Sequence, residues 1–75
     1  MTKKEKKRLR EISDMIEDAR AEISILIMEE QTRLDSIGDG YSQISRAIKL
    51  EEEIDNLEDT EESLDDAVTS IEQII

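Results

Sequence analysis

Apolar residues recur along this chain in steps of three and four, in two runs separated by one break. The first run is Leu9, Ile12, Ile16, Ala19, Ile23, Leu26, Glu30, Arg33 and Ile37, with Ile27 and Leu34 taking over towards its end. The second is cleaner. Ala47, Ile54, Glu61, Val68 and Ile75 occupy one line, Leu50, Leu57, Leu64 and Ile71 the other. Eight of these nine are apolar, and a seven-residue unit repeats through IDNLEDT, EESLDDA and VTSIEQI. Sustained apolar positions at this spacing predict coiled-coil helices. The slow drift of the first stripe is what 3.6 residues per turn produces.

The break is Ile37-Gly38-Asp39-Gly40-Tyr41, and it holds both glycines of a chain without proline. A glycine after the last periodic residue is the usual helix stop, because it enters the left-handed region without penalty. Helix 1 is therefore expected from about residue 3 to Ile37, a turn at 38–41, and helix 2 from about Ser42 to Ile75. Asp39 or Ser42 is expected to cap helix 2 through a side-chain oxygen. Two helices of roughly 50 Å joined by so short a turn should fold back antiparallel. Facing residue numbers then sum to about 80. The expected fold is all-α: an antiparallel two-helix hairpin whose seam contains Ile12, Ile16, Ile23, Leu26, Leu50, Ile54, Leu57, Leu64, Val68 and Ile71.

One stripe on each helix does not use all the apolar surface. At 100° per residue, Ala21, Ile25, Met28 and Thr32 form a second, smaller face of helix 1 opposite the first. Helix 2 adds Ile44, Ile48, Ala67 and Ile74 on its flanks. A second copy is expected to cover this surface, giving a dimeric four-helix bundle or coiled coil; the alternative cover is a different protein. Glu30 and Glu61 interrupt the apolar seams, and a buried carboxylate needs a cation. Arg20 is the candidate partner of Glu61 and Lys49 that of Glu30, and such pairs would fix register.

With 75 residues and 41% charged side chains, the chain is one domain at most, in the size range where a lone core is marginal. It has no Cys and no His, so it lacks the usual ligands of zinc, iron-sulfur and haem sites and the base of Ser-His-Asp and Cys-His catalysis. No apolar run approaches the roughly 20 residues of a membrane span, and the start lacks a signal-peptide core. No metal or cofactor is expected. Asp35-x-Ile37-x-Asp39-Gly40 has the outline of a calcium loop. It fails at its third place, Ile37, and at its twelfth, Arg46. Enzymatic activity is not expected, since its many carboxylates lie on exposed helical faces with no cleft.

Charge is segregated within the net of −11. Lys3, Lys4, Lys6, Lys7, Arg8 and Arg10 against Glu5 give residues 1–10 a net of +5. Residues 50–75 carry eleven acids and no Lys or Arg. Cations at a helix N-terminus oppose its dipole, so residues 1–7 are expected to be a basic, frayed tail ahead of a helical domain at 8–75. Direct binding of nucleic acid through that tail is disfavoured by the acidity of the rest and by a single aromatic residue, Tyr41. The acidic ridge of Glu51, Glu52, Glu53, Asp55, Glu58, Asp59, Glu62, Asp65 and Asp66 reads first as a solvated face. Its functional alternative is a nucleic-acid mimic.

The stretch from Glu52 to Ile74, EEIDNLEDTEESLDDAVTSIEQI, follows a charged helix with Glu29-Glu30-Gln31 and a short glycine loop. In this it resembles a set of small uncharacterised bacteriophage and prophage helical-hairpin proteins. The loop lacks the proline associated with that set, and its alanines are here Glu53, Thr60 and Ala67. The resemblance implies a phage accessory protein in the cytoplasm of a bacterial host, binding and inhibiting a host or defence protein. A scaffold or chaperone role is the structural alternative.

Overall fold

The structure, a computed structural model, describes residues 1–38 and 40–75, and of Tyr41 and Ser42 the backbone alone. It is the expected hairpin. Helix α1 spans Lys3–Asp35 and helix α2 spans Tyr41–Glu72, and they pack along their length. The Cα trace extends over 60 × 14 × 11 Å, a rod two helices wide.

Helix α1 begins at Lys3, where the periodicity places it, and residues 3–7, expected to fray, are helical. The cause is a reciprocal cap. The Glu5 amide donates to Thr2 Oγ1 at 3.1 Å, and the Thr2 amide donates to Glu5 Oε1 at 3.0 Å. This satisfies amides that the helix itself leaves unpaired and places a carboxylate where the dipole favours one. Those hydrogen bonds, the backbone one foremost, hold the Glu5 carboxyl below its ordinary pKa. Their contribution is present above about pH 4.5 and is lost as pH falls through the depressed value. Thr2→Ala should cost about 1 kcal/mol. Amide exchange is expected to accelerate in the first two turns alone; unchanged protection there would mean that the cap holds nothing.

The turn also differs in mechanism. Neither glycine has a positive φ. Helix α1 stops at Asp35, and its cap Ser36 is right-handed with φ −87° and ψ −7°. The Ser36 amide reaches back to the carbonyls of Thr32 and Arg33, and its hydroxyl donates to Thr32 O at 2.9 Å. Gly40, extended at φ −73° and ψ 156°, is the N-cap of α2 and supplies no side-chain acceptor. Of the two expected caps, Asp39 and the Ser42 side chain both lie outside the described residues.

Ile27, Leu50, Ile54 and Val68 are the buried apolar residues, and among the described residues no side chain is fully buried. Ile16, Ile23, Leu57, Leu64 and Ile71 are half-buried seam residues, as expected. Ile12 and Leu26 are not in the seam; each is 45% exposed. The residues of α1 shielded by α2 instead follow Leu9, Ser13, Ile16, Arg20, Ile23, Ile27, Glu30 and Leu34. A single partner helix covers only about 100° of α1. It can take the line of Ile12, Ala19 and Leu26 or that of Ser13, Arg20 and Ile27, and it takes the second.

Candidate functional site

The two flanks of the hairpin are chemically opposite. On one, cross-helix polar contacts close the seam. Arg20 Nη1 meets Glu17 Oε1 at 3.2 Å and Asp65 Oδ1 at 3.0 Å. Ser24 donates its hydroxyl to Glu61 Oε2. Glu61 is therefore served by Ser24 rather than by Arg20, its expected partner. These contacts also lie farther along α2 than level pairing predicts. In a helix every Cβ tilts towards the N-terminus, so in an antiparallel pair the side chains of α1 lean away from the turn and those of α2 towards it. Asp65 therefore meets Arg20 from farther out. Such half-exposed ion pairs contribute under about 1 kcal/mol each. The polar flank determines orientation more than stability.

The other flank is apolar. Leu26, Glu30, Glu53, Asn56, Leu57 and Thr60 line an open groove of about 390 Å³ between the helices. Taking 100° per residue, Ile12, Met15 and Ala19 continue this face along α1, and Leu64, Ala67 and Ile71 continue it along α2. All three α1 residues are exposed, Met15 at 66%. Within the groove the Glu30 side chain is only 15% exposed. Arg33 Nη1 donates to its Oε1 at 2.8 Å, while Oε2 is buried and has no partner. What faces it across the groove is another carboxyl, Glu53. The hydrogen bond that a protonated Glu30 would donate to Glu53, followed by burial and the Glu53 charge, raises the Glu30 pKa; Arg33 opposes the shift. Lys49, the expected partner of Glu30, is exposed and makes no ion pair among the described residues.

The second face anticipated on α1 exists: Ile25, Met28 and Thr32 line one shallow depression with Glu29 and Arg33, and Ala21 is also exposed. It lies on the back of α1, although Met28 at its edge also borders a depression with Ser24, Ile27, Glu58 and Glu61 on the polar flank. Ile44 and Ile48 are exposed near the turn, whereas half-buried Ala67 and exposed Ile74 lie roughly 30–45 Å away at 1.5 Å per residue, towards the other end of the rod. The eight residues therefore do not form one surface. The Leu26–Leu57 groove is not legible as a surface in the sequence, where Leu26, Leu57 and Leu64 read as hairpin seam.

Among the described residues no helix is long and apolar enough to cross a membrane, and no group of three or more His, Cys, Asp or Glu could hold a metal. Compared with known protein families, curated proteins and solved structures, the chain has no match.

Proposed function

We propose that this hairpin is a non-enzymatic protein-protein interaction module that associates with a second copy of itself into a four-helix bundle and acts through binding. The observation that carries this reading is surplus surface. The hairpin exposes 5875 Å². A compact monomer of 8.6 kDa is expected to expose about 4,700 Å². The excess, about 1,200 Å², is larger than the roughly 800 Å² that each partner buries in a stable interface. Among the described residues nine large apolar side chains are exposed, including Ile12, Met15, Leu26 and Met28. The phage-protein resemblance adds a host or defence protein as a further partner of the same module. Light scattering on the purified chain should give about twice its 8.6 kDa. A folded monomer at every concentration tested would refute the assembly.

A further inference from the structure

We infer that the second copy docks on the Leu26–Leu57 flank, antiparallel to the first, about a two-fold axis at Ala19. This rests on the dimeric reading above and fixes its surface and orientation. The argument begins with the heptad line that α2 leaves uncovered on α1: Glu5, Ile12, Ala19, Leu26 and Arg33. All five are exposed. Read outwards from Ala19, the line is apolar at seven residues on either side, then acidic at one end and basic at the other. A two-fold axis across the rods at Ala19 turns α1 onto the α1 of its partner in the opposite direction. Ile12 then meets Leu26 of the second copy, Glu5 meets Arg33, and the small Ala19 side chains lie against each other and let the helices approach closely.

The same operation lays α2 on α2, with Leu57 level with Leu64 across Thr60; of the acidic ridge only Glu53 lines this flank, and at 100° per residue Glu51, Asp55, Glu58, Glu62 and Asp65 lie on the other. The parallel alternative gathers both basic segments, each with a net of +5 over residues 1–10, at one end of the bundle. It also sets α1 against α2 of the partner, so the stripe from Glu5 to Arg33 no longer faces itself. Opposite charges at the two ends of the α1 stripe, Glu5 against Arg33, select the antiparallel arrangement. The stripe is thus complementary to itself in one orientation only, which is the property an isologous interface requires.

Three variants of the full chain test this. Because the chain has no cysteine, Ala19→Cys introduces a single thiol. It should oxidise to a covalent dimer that retains the helical signal, since a disulfide needs Cα atoms within about 7 Å. Ile12→Glu with Leu26→Glu alters two side chains that are already 45% exposed in the hairpin, so its helices should persist while dimer affinity falls roughly 100-fold or more. Ile25→Glu with Met28→Glu, on the back of α1, should leave the dimer intact. A dimer that survives the first pair and dissociates with the second would overturn this interface while leaving the dimeric reading standing. So would a dimer whose Ala19→Cys form refuses to cross-link. Should the Ile12/Leu26 variant lose its helices, the cross-linking result alone decides. A wild-type chain that is monomeric throughout overturns both the interface and the reading beneath it.

Discussion

Replacing Ile54 by alanine should cost about 2–5 kcal/mol and remove most of the stability of the isolated hairpin. Ile54 is 7% exposed and, with Ile27, Leu50 and Val68, is one of the four buried apolar residues among those described. A chain of this size rarely draws more than about 3–5 kcal/mol from one core. The deletion removes transfer free energy and leaves a gap that two rigid helices cannot close. Urea titration followed by helical circular dichroism should therefore show the variant partly unfolded before denaturant is added at low protein concentration. Leu26→Ala provides the contrast. Its side chain is 45% exposed in the hairpin, so truncation should cost a lone chain well under the Ile54 penalty. An Ile54→Ala midpoint within experimental error of wild type would mean that these four residues are not what holds the helices together.

The contrast between Ile54 and Leu26 also shows where the sequence is informative. The hairpin itself is legible because the only helix-breaking residues fall at Gly38 and Gly40, and because α2 has one apolar stripe with no competitor. Helix α1 has two. Ile12, Ala19 and Leu26 form a more apolar line than Ser13, Arg20 and Ile27, so apolarity selects the wrong one. The structure prefers the second because Arg20 and Ser24 find acceptors on α2 in Asp65 and Glu61, while Ile27 enters the core. A count of apolar positions contains no information about such cross-helix partners. The cap at Thr2 is different, since Thr-x-x-Glu at residues 2–5 is a readable start signal. Weighing only the cations at positions 3–10 against the helix dipole obscures it. The Glu30–Glu53 pair is legible only once register is known, because it depends on two carboxyls from different helices meeting in one groove.

That pair makes a second sharp expectation: Glu30→Gln should raise thermal stability at neutral pH, and the gain should vanish on acidification. The groups facing Glu30 are Glu53 from α2 and Arg33 from its own helix. Arg33 is largely solvated, so its attraction is weakened by water, while Glu53 and burial both disfavour the charged form. The carboxyl therefore binds its proton more tightly in the folded chain than in the unfolded one, whose value is near 4.5. A raised folded value means a stabilising contribution that is fully present below about pH 4.5 and is lost as pH rises through that raised value. Glutamine keeps the shape and brings an N–H donor towards Glu53 without needing the proton, so its contribution is insensitive to pH. The difference in melting temperature between variant and wild type should thus shrink steadily from neutral pH towards about pH 4.5. Taking the difference removes the other effects of acidification, including relief of the net charge of −11 and loss of the Glu5 cap. A constant difference across that range, or a variant less stable than wild type at neutral pH, would place the Glu30 carboxylate in water with Arg33 rather than against Glu53.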